Sequence, residues 1–226
     1  VPRIGGMTHR RRFLTAVSLL AAGAALPAHA GPRDWLDMLT GNPSLRRKQL
    51  PVPVKVFDRA PRLPADPARR TRGHPVVLFT DYNCPDCRRL HDPLDAALAA
   101  AADIDLVVLP TPLITPTSRE VAALALAAQR QRPFRVLHDA LMHAKGMLDA
   151  RAALAIAAGL GLDGVQLAAD AQREEVGALL DAAVAHHKEL KLRGVPVMGV
   201  GAHSFHVGRM IARDFSPLFE AARKTG

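Results

Sequence analysis

Cysteine is scarce, with two residues among 226. That is too few for a disulfide-stapled scaffold or a four-thiolate zinc site. Aromatic residues make up only 4%, which argues against a stacking surface for single-stranded nucleic acid. Long apolar runs are missing as well: none reaches the roughly 18–20 residues needed to span a bilayer. What is present is the balance of a folded domain, with 49% hydrophobic and 23% charged residues, and it excludes disordered and collagen-like chains. Basic residues outnumber acidic ones, 30 against 21, for a formal charge of +9.

Much of that excess sits at the start. Met7-Thr8-His9-Arg10-Arg11-Arg12 is a basic opening, Phe13 to Leu26 is an apolar stretch, and Ala28-His29-Ala30 offers the small-x-small pattern that signal peptidase cuts. Val1 to Gly6 read as translation from upstream of a start at Met7, or as the product of an alternative start codon. Arg10-Arg11-Arg12-Phe13-Leu14 also resembles the twin-arginine signal, so both this route and the general secretory route stay open. Either route predicts an exported, periplasmic protein cut after Ala30. Residues 1–30 hold Arg3, Arg10, Arg11 and Arg12 and no acid, so the remaining 196 residues carry +5 and give little reason to expect nucleic acid.

The mature chain divides into a Pro/Arg-rich segment, 31–74, and a domain, 75–226. Pro51 to Phe57 could form an edge strand, since its prolines forbid a central one. Pro75 to Thr80 is a continuous apolar run that reads as a buried strand. A helix is expected from the cysteines to about Ala102, kinked near Pro93, then a second buried strand over Ile104 to Leu109. Strand, helix, strand at this length is one βαβ unit. Ser118 to Lys191 reads as helices almost throughout. Val197 to Val200 and Phe205 to Val207 suggest a β-hairpin, and Ile211 to Lys224 a closing helix. The β-pieces before and after the helical block would share one sheet.

Cys84-Pro85-Asp86-Cys87 stands where the first buried strand gives way to a helix. Pro85 suits the first helical position, which makes Cys84 the N-cap and Cys87 the third helical residue. The Cys84 sulfur can then accept hydrogen bonds from the free amides of Asp86 and Cys87, and the helix dipole adds positive potential. Both favour thiolate over thiol. Cys87, one turn in, is close enough to close a disulfide and should be the more buried of the two. Three chemistries are compatible: a redox pair, a structural disulfide, and a metal site with His91 as third ligand. A disulfide across four residues would constrain little chain entropy. Haem attachment would need His after Cys87, where Arg88 stands.

Phe79-Thr80-Asp81-Tyr82-Asn83-Cys84-Pro85-Asp86-Cys87 resembles the active-site segment of the DsbA-like branch of the thioredoxin superfamily. Leu192-Arg193-Gly194-Val195-Pro196-Val197-Met198 is similar to that family's cis-proline segment, and the helical block about 118–191 matches its helical insertion. The resemblance spans roughly Pro75 to Lys224. It implies an α/β, thioredoxin-like fold and a thiol:disulfide oxidoreductase with Cys84 and Cys87 as catalytic residues. Pro85 and Asp86 would tune them. Val195 and Pro196 would form a substrate-binding wall across a cis bond. Disulfide formation in exported proteins with cysteines is implied ahead of reduction or isomerisation, because Val precedes the proline as in the oxidases. No cofactor is implied, and a membrane partner of the DsbB kind would reoxidise the pair. Asp86 departs from the strongly oxidising relatives, which carry His there. Its charge opposes the Cys84 thiolate, with Arg88, Arg89 and His91 near enough to offset it.

The other histidines point to no site. His186 and His187 are adjacent on a helix and diverge by about 100°, and His138 and His143, five apart, share no helical face. Trp35 reads as a local packing residue.

Overall fold

Two adjacent apolar strands hold the centre of the molecule. In the computed structural model β2 (His74–Thr80) and β3 (Ile104–Pro110) pair in parallel, Val76 opposite Leu106 and Phe79 opposite Leu109. Every residue of β3 is buried, which is why its sequence runs apolar instead of alternating. Parallel strands need a crossover, and α1 (Pro85–Ala99) supplies it. Leu90, Leu94 and Leu98, four apart, line its buried face. Each such leucine contributes about 1.5–3 kcal/mol by leaving water. The helix runs on through Pro93, which cannot donate the backbone bond expected at that point.

The structure describes residues 60–64, 72–200, 204–207, 210 and 212–224, all in the unit Asn42–Gly226. The expected export segment, Trp35 and the strand over Pro51 to Phe57 lie outside them. One strand was not expected: β1 (Arg62–Pro64) pairs antiparallel with β3. Three residues ending in proline carry too short a pattern to announce a strand, and the pairing is made by the edge of β3 that β2 leaves open.

Five helices follow β3, namely α2 (Ser118–Ala127), α3 (Phe134–His143), α4 (Ala150–Gly159), α5 (Gly164–Ala171) and α6 (Glu174–Glu189), with a short 3-10 turn at Ala128–Arg130. Asp149 and Asp163 cap α4 and α5 by accepting from the free amides of Ala152, Val165 and Gln166. The helices pack on one another, α3 also touches α1, and α6 touches β3. The chain then returns to the sheet as β4 (Val197–Val200) and β5 (Ser204–Val207), and ends in α7 (Ala212–Arg223). Phe215, Leu218, Phe219 and Ala222 are buried, and α7 packs on β2, β4 and α1. The sheet order is β1-β3-β2-β4-β5, with β4 antiparallel to β2. The strands before and after the helical block thus share one sheet, as read from the sequence.

Candidate functional site

Strand register brings two distant segments together. β2 ends at Thr80, just before the cysteines, and its Phe79 lies opposite Val197, the first residue of β4. The loop carrying Cys84 and the loop carrying Pro196 therefore leave the sheet at the same edge. Cys84 caps α1 in an extended conformation (φ −86°, ψ 117°), with Pro85 in the first turn. The Cys87 amide donates to Cys84 Sγ at 3.4 Å. On the other side the Cys84 thiol donates to the Val195 carbonyl at 3.3 Å, and the Val195–Pro196 bond is cis.

The surroundings separate two thiols that exposure hardly separates, at 4% for Cys84 and 3% for Cys87. The Cys84 thiol is lowered from 9.0 to about 7. The hydrogen bond from the Cys87 thiol acts most strongly. The amides of Cys87 and Asp86 add to it, against burial and the Asp86 carboxylate. Cys87 is pushed far up, first by burial and then by the neighbouring Cys84 sulfur. Only one thiolate therefore forms at neutral pH, and it is the one at the helix terminus. Thiolate absorbance of the reduced protein should rise with pH through a midpoint near 7 and then level off. A single transition at the ordinary thiol value of about 8.5 would mean that the cap contacts do not act on Cys84.

Two polar residues of the same loop tie the site to its surroundings. Asp81 is buried. Its Oδ1 accepts from the Asn83 amide at 2.8 Å and the Ser118 hydroxyl at 2.9 Å, and its Oδ2 from the amides of Leu113 and Ile114 at 2.8 and 2.9 Å. Asn83 donates to the Leu148 carbonyl at 2.9 Å and accepts from the Leu148 amide at 2.7 Å. Opposite, His187 Nε2 donates to the Gly194 carbonyl at 2.9 Å, and its ring meets Phe79 edge-on. Gly194 has φ +75°, a conformation a side chain would disfavour. Sequence reasoning assigned no role to Asp81, Asn83, Ser118 or His187. The usable clue was a polar pair, Asp81 and Asn83, set directly against a buried strand end.

Several expectations need correction. Of the three groups expected to offset Asp86, Arg89 does so: it pairs with the half-exposed carboxylate at 2.7 Å. Arg88 does not join that pair: it donates to the carbonyls of Tyr82 and Gly146 at 2.7 and 2.6 Å. His91 is turned away from the cysteines. Its ring lies against His138 and His143, centroids 5.3 and 5.1 Å apart. Among the described residues, the metal-ligating groups that converge on His91 include neither cysteine. His138 and His143 share no face of α3, yet both reach His91 because α3 packs on α1.

A cysteine pair at the start of the first crossover helix, facing a cis-proline loop, defines a thioredoxin-like fold, here with a helical insertion. The chain belongs to the DSBA-like thioredoxin domain family, which matches residues 75–212. A thioredoxin-like oxidoreductase from Silicibacter pomeroyi is 30% identical, with a TM-score of 0.69 over 76% of this chain and 97% of that one. The thiol-disulfide exchange protein alpha-DsbA2 from Wolbachia pipientis is 18% identical, with a TM-score of 0.65 over 73% and 88%. A periplasmic thioredoxin-like protein from Salmonella enterica serovar Typhimurium is 20% identical, with a TM-score of 0.63 over 75% and 97%. No curated protein sequence matches the chain.

Proposed function

We propose that this protein is an exported thiol:disulfide oxidoreductase that introduces or exchanges disulfides in other exported proteins through Cys84 and Cys87. The observation that carries this reading is the Cys84 sulfur at the helix terminus, held between the Cys87 amide at 3.4 Å and the Val195 carbonyl of the cis-proline loop at 3.3 Å, with the second cysteine one turn away. Starting from the Cys84–Cys87 disulfide, a substrate thiolate attacks Cys84 Sγ, and Cys87 departs and takes up a proton. A second substrate thiolate attacks the substrate sulfur of the mixed disulfide and expels Cys84 as a stable thiolate. The substrate loses two electrons and two protons, and the protein pair gains the electrons. The Val195 backbone would pair with an extended substrate segment as an added strand. Leu113, Ile114 and Met147 are exposed, and Asp81, Asn83 and Arg88 hold their loops next to Cys84. They offer apolar contact to an unfolded chain. Reoxidation would fall to a membrane partner of the DsbB kind. The periplasm is the compartment that the N-terminal pattern and the Salmonella relative favour.

The test is oxidative refolding of a reduced, cysteine-containing substrate with catalytic amounts of the protein in a glutathione buffer. Catalysis of thiol loss supports an oxidase. Catalysis only when scrambled disulfides are supplied would favour the isomerase reading. No catalysis of either reaction would overturn the proposal.

Asp86→His should make the protein a modestly stronger oxidant. One pKa unit at Cys84 corresponds to about 30 mV for this two-electron couple. Because Arg89 already pairs with Asp86, the expected rise is below about 30 mV. Equilibration with glutathione measures it, and a lower potential in the variant would contradict the role given to Asp86.

A further inference from the structure

Where α3 packs on α1, polar side chains gather that thiol chemistry does not use. His91 Nε2 and Asp139 Oδ1 are both buried and both lack a hydrogen-bond partner. They stand 3.4 Å apart, misaligned for a bond to each other. The His91 side chain is only 6% exposed, so water does not readily serve it, and a buried polar atom without a partner is costly. His138, buried at 1% exposure, brings a third donor: one ligand atom from each of His91, His138 and Asp139 lies within 4.8 Å of the others.

Two imidazoles and a carboxylate are a zinc-type donor set, whereas calcium and magnesium take oxygen ligands. Tetrahedral donors about 2.0–2.2 Å from a zinc ion stand about 3.3–3.6 Å from one another. The His91–Asp139 spacing already falls in that range. We propose that His91, His138 and Asp139 bind one zinc-class dication, at a site separate from the thiol pair.

The groups around the site fit such an ion. Tyr82 OH is 3.0 Å from His138 Nδ1, which leaves Nε2 for the metal and provides the second hydrogen bond that orients a metal-binding imidazole. Arg135 pairs with Asp95 and with Asp139 Oδ2, leaving Asp139 Oδ1 free. The carboxylates of Asp95 and Asp139 against the one Arg135 guanidinium leave an excess of negative charge for a dication. Tyr82 precedes Cys84 by two residues and His91 shares α1 with both cysteines, so an ion here would brace the helix that carries the redox pair.

The test uses full-length protein with both thiols alkylated, titrated with Co2+ and then competed with Zn2+. One equivalent of Co2+ should bind, with visible d–d bands and no thiolate-to-cobalt charge-transfer band, and Zn2+ should displace it and raise the melting temperature. Asp139→Asn and His91→Gln should each weaken binding at least about tenfold, while Asp92→Asn and His143→Ala leave it unchanged. Circular dichroism melts of metal-free Asp139→Asn check that this half-buried variant folds. The proposal is overturned if alkylated protein binds no stoichiometric metal, or if folded Asp139→Asn binds as well as the parent. It is also overturned if binding is lost only with Asp92 or His143, which would place the ion on the exposed set His91, Asp92 and His143.

Discussion

Cys84→Ala is expected to reduce thiol–disulfide exchange to the level of a protein-free control, whereas Cys87→Ala loses the oxidising disulfide but keeps a Cys84 thiolate that attacks disulfide-bonded substrates and then stalls as a mixed disulfide. The difference follows from the two environments. Cys84 has the helix-terminus amide and the Val195 carbonyl within 3.4 and 3.3 Å, and its thiol is lowered to about 7. It is the sulfur that both attacks and leaves readily near neutral pH. Cys87 is raised by burial and by its neighbour, so it does not start exchange: it leaves Cys84 when the disulfide opens and, in the reverse direction, displaces a substrate already bound to Cys84. Without it, mixed disulfides on Cys84 persist. Alkylation trapping followed by non-reducing electrophoresis reads both variants. Substrate trapped on Cys87 in the Cys84→Ala protein would reverse the assignment.

Asp81→Ala carries the largest stability cost expected here, about 3–5 kcal/mol. The carboxylate is buried and answers four donors: the amides of Asn83, Leu113 and Ile114, and the Ser118 hydroxyl. Alanine leaves those donors without an acceptor and opens a small void. At about 2–4 °C per kcal/mol for a chain of this size, the melting temperature should fall by about 6–20 °C. Asp81→Asn should fall between, since it keeps one oxygen acceptor and turns an N–H2 toward the donors that faced the other. Urea unfolding of the reduced proteins measures both. A midpoint for Asp81→Ala equal to the parent's would mean that these donors find water or other partners without cost.

The cysteine and Asp81 variants test different parts of one device. Asp81 and Asn83 act by holding the loops at Leu113–Ile114 and Leu148 against the segment that leads into Cys84. Asp81→Ala should therefore lose stability more than it shifts the Cys84 thiolate midpoint.

Sequence alone determined the parts whose physics is local. Consecutive buried strand residues require a largely apolar run, so Pro75–Thr80 and Ile104–Leu109, apolar but for Asp105 and the terminal Thr80, announced the central parallel pair. A proline between two cysteines after such a strand announced the helix cap, because capping acts over three or four residues. The helical insertion was legible from its periodicity, and so was the closing helix, expected over Ile211 to Lys224 and found one residue shorter at each end. Tertiary structure decided whatever depends on segments far apart in the chain. Arg88, Arg89 and His91 were all near enough in sequence to answer Asp86, and only packing decided that Arg89 pairs with it while Arg88 and His91 turn elsewhere. Asp81 and His187 had no visible role until the Leu113 and Gly194 loops reached them. His91 read as a neighbour of Cys87 because four residues along a helix is one turn, yet its ring faces α3. His138 and His143 diverge on their own helix and still meet that ring, because convergence there is set by how two helices pack and not by spacing within either.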